Sequence, residues 1–437
     1  MRGRRVALPD GIRAADVVIE DGRIAAINGF DETPDVTEVV ELASDEVLLP
    51  GLIDVHVHVN EPGRTEWEGF ASATKAAAAG GITTLVDMPL NSKPSTTSVG
   101  NLDIKRDVAR DQIMMDVGFW GGAIPGNTNE LEPLWDAGVF GFKCFLGDSG
   151  LEEYPYLNKE QLREAMTEIA RFGGLLIVHA EDAGVLDQAP HASGPDFSVF
   201  MDSHPAAAET AAIATVVEVM RETGCRAHIL HLASAEALPI VRAAKAEGLP
   251  LTVETCPHYL TFDAEEIPEG ATQYKCCPPL RGHENRMGLW AGLADGTINF
   301  VASDHSPCTA DLKNMDTGDF GTAWGGIASV QLGFPAVWTN ARQLGHSLSD
   351  VARWMAANPA DVVGIQGKGR IVVGAQADLA IVAPDEEFTV KKEELFHKNA
   401  VSPYDGRVLT GVVRSTWLAG EPVDISGPRR GRELSRN

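Results

Sequence analysis

His56 and His58 stand two residues apart where the apolar run Val47-Leu48-Leu49-Pro50-Gly51-Leu52-Ile53 closes in Asp54-Val55-His56-Val57-His58. Alternate residues of a strand share a face, so the two imidazoles emerge side by side from one sheet edge. Paired imidazoles are half of a divalent metal site. Four more metal-competent side chains close later β-rich runs. They are Lys143 in Gly141-Phe142-Lys143-Cys144-Phe145, His179 in Ile177-Val178-His179-Ala180-Glu181, His231 in His228-Ile229-Leu230-His231-Leu232, and Asp304 in Val301-Ala302-Ser303-Asp304-His305. Taken singly, each reads as a packed core imidazole or a helix N-cap. Six of them at strand ends form a pattern that packing does not require, and it points to metal-assisted chemistry. Lys143 is the unusual member, because an ammonium flanked by Phe142, Cys144 and Phe145 on a buried strand is costly. The amine can persist neutral, pair with a carboxylate, or react with carbon dioxide to give an anionic carbamate able to bridge two cations.

The elements that would position these groups alternate along the chain. Apolar β-rich runs at Leu48–Val55, 82–88, 116–121, 139–146, 175–180, 227–233, 251–256 and 298–303 are separated by amphipathic patterns such as 68–79, 159–172, 205–223 and 235–247. Strand and helix alternating in this way predict a (β/α)8 barrel, in which active sites gather at the C-terminal strand ends. Short strands and tight turns replace the alternation at both ends. Residues 1–49 and 365–437 are therefore expected to pair into one small β domain, with 50–364 as the catalytic barrel.

The order His-x-His, Lys, His, His, Asp resembles the amidohydrolase superfamily, in its cyclic-amidase branch of allantoinases, hydantoinases and dihydroorotases. Glu61-Pro62-Gly63-Arg64-Thr65-Glu66-Trp67-Glu68-Gly69-Phe70, Asp87-Met88-Pro89-Leu90-Asn91-Ser92 and Ser303-Asp304-His305-Ser306-Pro307-Cys308 are especially similar to allantoinases. The resemblance implies a carboxylated Lys143 bridging two divalent ions, zinc by default, with manganese and cobalt fitting the same donors. One ion would take His56, His58, Lys143 and Asp304, and the other Lys143, His179 and His231. Such a centre supplies hydroxide at neutral pH. Asp304 would accept its proton and pass it to the departing ring nitrogen. Dihydroorotases carry an Arg where this chain has Asn60, so the partner of a substrate carboxylate is missing. Hydantoinases have a Tyr at the position of Asp148 and a Ser at that of Cys277. These departures favour opening of allantoin to allantoate in purine breakdown, with a hydantoinase, dihydropyrimidinase or dihydroorotase activity as the alternative. Asn91, Asp148 and Cys277 are the candidates for contacts to the cyclic ureide. Relatives of this kind are commonly homotetramers. They usually begin with a strand ahead of the segment matching Arg4-Arg5-Val6, so Met1 lies downstream of a family-typical start or that strand is absent.

Composition is compatible with this reading. The chain has 437 residues, 44% of them hydrophobic, and a formal net charge of −26. A field of that sign repels nucleic acid and anionic membrane surfaces. Six cysteines without a C-x-x-C spacing suit reduced thiols of a cytoplasmic enzyme. No run is long and apolar enough to span a bilayer, and no signal-peptide core follows the N-terminal arginines. His258 and His305 are expected as further imidazoles near the rim, Gly325-Gly326 as a place of close backbone approach, and the basic segment 427–432 as a frayed end.

Overall fold

The computed structural model describes residues 1–30 and 36–436. Strands β1 (Arg2–Leu8), β2 (Gly11–Glu20), β3 (Arg23–Asn28) and β4 (Val47–Pro50) are followed by β5 (Leu52–Val57), β6 (Ile82–Asp87), β7 (Asp116–Phe119), β8 (Gly121–Gly122) and β9 (Phe142–Phe145). Then come β10 (Leu175–His179), β11 (Arg226–Ile229), β12 (Leu251–Thr255), β13 (Phe300–Val301), β14 (Leu379–Thr389), β15 (Val408–Leu418) and β16 (Glu421–Pro422). The two chain ends share a seven-stranded sheet of order β16-β15-β14-β4-β1-β2-β3. Val6, Val17, Ile24, Leu48, Leu379 and Ile381 form part of its core.

The run expected as one strand from Leu48 to Val55 is two. β4 lies in the terminal sheet, with Pro50 opposite Leu379, whereas β5 pairs with β6. Gly51 sits at the crossing, where a Cβ would lie 2.3 Å from Thr83 Oγ1. Only a residue without a side chain passes there.

The remaining strands are parallel. β5-β6-β7 form one run and β8 to β13 another, consecutive in order. β7 and β8 are one stave interrupted at Trp120, whose indole N–H donates to Val55 O at 2.8 Å. The circle closes where Val57 bridges His305 and His58 N–H donates to His305 O at 2.8 Å. This is the expected (β/α)8 barrel. Along β10 the alternation is plain. Leu175 and Ile177 pack inward with Val86, Trp120 and Phe300, while Leu176 and Val178 pack with helix residues such as Met166 and Ile169. That parity sends His179 inward at the rim.

Helix Lys159–Arg171 shows how the outer layer is specified. Asn158 and Gln161 form a capping box, and the buried face is Leu162, Ala165, Met166 and Ile169, at helical spacing. Helix Ala206–Thr223 stops at Gly224, which takes the left-handed conformation at φ 68°.

The basic C-terminal segment does not fray. Arg432 N–H donates to Asp116 Oδ1 at 2.8 Å, and Leu434 N–H to Val117 O at 2.8 Å. Arg106 pairs with Glu433 at 2.6 Å, and the Arg436 guanidinium lies 3.6 Å over the Trp135 ring. The tail is pinned because β7 has backbone and carboxylate groups free to receive it, which residue composition alone does not reveal. No helix among the described residues is long and apolar enough to cross a membrane.

Candidate active site

Six strand-end side chains converge on the C-terminal rim. His56 lies one residue before the end of β5 and His58 just past it, Lys143 lies on β9, His179 closes β10, and His231 and Asp304 follow β11 and β13. All six are buried. Ring centroids are 5.5 Å apart for His56 and His58, 5.4 Å for His56 and His231, and 4.5 Å for His179 and His231. Asp304 Oδ1 lies 3.1 Å from His56 Nε2 and 3.5 Å from His58 Nε2. Donor atoms of His56, His58 and Asp304 fall within 4.8 Å of one another, close enough to share a metal ion.

The imidazoles of His56, His58 and His179 are each aimed by a partner, whereas His231 is held through its backbone N–H. His56 Nδ1 is held by Glu254 Oε1, while Glu254 Oε2 lies 3.2 Å from His228 Nε2 and the His231 N–H donates to Oε1 at 3.2 Å. Glu181 does the same for the other side, with Oε2 at 2.9 Å from His179 Nε2 and Oε1 at 2.9 Å from His204 Nδ1. Asn91 Nδ2 lies 3.3 Å from His58 Nδ1. Carboxylates on the outer nitrogens leave the inner ones facing the cluster, the usual device of metal-ligating histidines. His56 Nε2 and His231 Nδ1 are buried and make no hydrogen bond. Buried nitrogens without a hydrogen bond are costly unless a further group satisfies them.

The electrostatics match. Burial alone would lower the His56 pKa, but the Asp304 and Glu254 carboxylates outweigh it and raise it to about 9. Burial, with the charge of Lys143 behind it, pushes His58 down to about 3. Burial likewise pushes Lys143 down to about 8 against the pull of Asp304 and Glu254. Burial opposes ionisation of Asp304, yet His56 and its other imidazole neighbours hold its pKa well below the carboxylate range. The Lys143 ammonium nitrogen makes no hydrogen bond or ion pair with a described residue, and lies 5.1 Å from the Phe145 ring centroid.

Backbone strain gathers at the same rim. Asn60, Asn91, His231 and Asp304 take left-handed φ of 66°, 65°, 35° and 44°. For residues with a side chain, this costs on the order of 1–3 kcal/mol each and persists only where surroundings impose it. The cluster opens into a cavity of about 490 Å³.

The expected substrate contacts all border that cavity, with different duties. Asn91 is spent partly on His58. Asp148 is exposed, and its Oδ1 accepts from Gly150 N–H at 3.0 Å. Cys277 is half-buried, one of six unpaired thiols. Gly326, at φ 129°, could carry no Cβ without lying 2.2 Å from Ser306 O, so close backbone approach is real there. His305 binds Glu68 at 3.1 Å, away from the cluster, and His258 is buried with both nitrogens unpartnered. Glu254, Glu181, His204 and His228 were not anticipated. Glu181 stood two residues after His179, the one available signal.

The amidohydrolase family model matches residues 47–423. The chain belongs to the amidohydrolase family. An allantoinase of Streptomyces avermitilis is 56% identical, covering 100% of this chain and 98% of that protein. The allantoinase of Saccharomyces cerevisiae is 46% identical over 88% of this chain and 84% of its own. Among solved structures, the L-hydantoinase (dihydropyrimidinase) of Arthrobacter aurescens superposes with a TM-score of 0.93 at 28% identity, covering 100% and 99% of the two chains. The dihydropyrimidinase of Brevibacillus agri gives 0.90 at 27% identity, covering 99% and 98%. This amidohydrolase thus shares its fold with hydantoinases and far more of its sequence with allantoinases.

Proposed function

We propose that this amidohydrolase is an allantoinase, opening the five-membered ring of allantoin to allantoate in purine catabolism. The geometric observation that carries the chemistry is Lys143, buried, without a hydrogen-bond or ion-pair partner, beside a cluster of four imidazoles and Asp304. A bare ammonium there opposes cation binding, whereas a carbamate formed with carbon dioxide supplies the third donor that His179 and His231 lack. In this reading His56, His58, Lys143 and Asp304 would hold one divalent ion and Lys143, His179 and His231 the other, with zinc, manganese or cobalt all suited to such ligands. When bound, the ions would supply a hydroxide nucleophile at neutral pH and polarise the scissile carbonyl.

The residues do the rest. Asp304, held ionised by its imidazole neighbours, accepts a proton at Oδ1 or Oδ2 and returns it to the leaving ring nitrogen. Asn60, where a dihydroorotase would need an Arg, is buried with its amide donating to Pro307 O at 3.2 Å. The substrate is therefore a neutral ureide, and identity to allantoinases rather than hydantoinases favours allantoin. In the same reading, residues 50–364 form the catalytic unit, 1–49 with 365–437 the small β unit, and the enzyme is a cytoplasmic homotetramer. Six unpaired thiols suit that compartment.

Rates on allantoin, hydantoin, dihydrouracil and dihydroorotate, compared as kcat/KM under saturating metal, test the substrate. Allantoin should lead, and dihydroorotate should trail by on the order of a thousandfold, the worth of a lost charge-assisted pair. Hydantoin or dihydrouracil outrunning allantoin would move the enzyme to the hydantoinase branch.

A further inference from the structure

The cavity that holds the Lys143 cluster is also lined by a histidine with unspent capacity. His204, at the end of helix Phe197–Ser203, borders the cavity with its side chain 22% exposed. Its Nδ1 lies 2.9 Å from Glu181 Oε1. Because the carboxylate can only accept, Nδ1 carries a proton, and in the neutral ring Nε2 then carries the lone pair. Nε2 has no hydrogen-bond partner among the described residues. The ring is also fixed in place: the His204 carbonyl accepts from Arg281 at 3.1 Å, Arg281 pairs with Glu209 at 3.0 Å, and the imidazole packs 5.3 Å from the Phe200 ring. Two neighbouring wall groups are at least partly engaged. Asp148 Oδ1 is turned onto Gly150, and Lys275 Nζ donates to Ala323 O at 2.7 Å.

The same Glu181 holds His179 by its other oxygen, at 2.9 Å. One carboxylate and two hydrogen bonds therefore separate the acceptor on the wall from the rim of the candidate metal cluster. His204 and the cluster line the same cavity, so a ring seated at the cluster shares one enclosure with His204. We propose that His204 Nε2 is the acceptor that reads a donor N–H on the exocyclic ureido arm of the substrate, and so separates ureido-bearing rings from bare ones. This rests on the allantoinase reading and names the group that would give it its selectivity.

The test compares the parent with two variants on allantoin and hydantoin, with bound metal measured alongside. His204→Asn keeps an N–H for Glu181 but withdraws the distal acceptor, while His204→Gln carries an amide oxygen out toward the Nε2 position. For His204→Asn, kcat/KM on allantoin should fall about tenfold through KM, the worth of one hydrogen bond between neutral groups, with hydantoin changed less than about twofold and metal content unchanged. His204→Gln should recover part of the loss. An equal fall on both rings, or loss of metal, would make His204 a support for Glu181 and overturn the proposal. Unchanged allantoin kinetics in His204→Asn would overturn it as well. A parent that opens hydantoin but not allantoin would instead sink the allantoinase reading itself, and the role of His204 with it.

Discussion

Two buried lysines at opposite ends of the barrel face opposite fates. Lys368, at the N-terminal end of β7, is ion-paired to Asp116 at 2.8 Å and to Asp378, and Gln376 donates to both carboxylates. Arg432 N–H and Ala419 N–H take up remaining carboxylate oxygens at 2.8 and 2.9 Å. Every charge there has an answer within the chain, and the node ties the terminal sheet to the barrel. Lys105 is answered in the same way, by Asp87 at 2.6 Å and Met88 O at 2.9 Å. Lys143, at the other rim, has neither carboxylate nor carbonyl partner, and the nearby His56 Nε2 and His231 Nδ1 are orphaned. A satisfied buried cluster is structural. One left open, on strained backbone, is held for something the chain does not itself provide.

Removing the proposed proton carrier should give a large effect on turnover. Asp304→Asn preserves shape and an oxygen toward the cluster, yet its kcat should drop by about 10²–10⁴ with KM nearly unchanged. Steady-state kinetics that put the loss below about tenfold would assign the shuttle to another residue.

Lys368→Met probes the satisfied cluster. Two carboxylates lose their shared cation, so denaturant unfolding should show a loss of about 3–5 kcal/mol. The activity of the remaining folded protein should be retained. A large fall in kcat with unchanged stability would erase the distinction between the two ends.

A smaller effect belongs to the groups behind the ligands. Glu254→Gln keeps the volume but weakens the hold on His56 Nδ1, and metal affinity should fall by about 10–100-fold. Chelator competition reads it directly. Affinity unchanged within about twofold would show that His56 needs no carboxylate to aim it.

The barrel and the six strand-end groups were legible because each rests on local pattern. Period-two alternation places His56, His58 and His179, and an apolar frame marks Lys143 as out of place. Glu254 was not legible, since it meets His56 across 198 residues of chain and its own surroundings in Glu254-Thr255-Cys256 look like any strand end. The same holds for His204, which reaches the site only through the turn between helix Phe197–Ser203 and helix Ala206–Thr223. The split of the first barrel strand at Gly51 escaped a reading by hydrophobicity because both halves are equally apolar. What separates them is the side chain of Thr83 opposite.

The central claim is that Lys143 is a ligand in waiting rather than a structural cation, and metal content tests it. Purified parent should carry two divalent ions per subunit by elemental analysis. Lys143→Ala should carry neither while unfolding near the parent midpoint, and added short carboxylic acids should restore part of both metal and turnover. Lys368→Met, measured beside it, should keep its metal despite its lower stability. A folded Lys143→Ala protein with full metal and full activity would contradict the account.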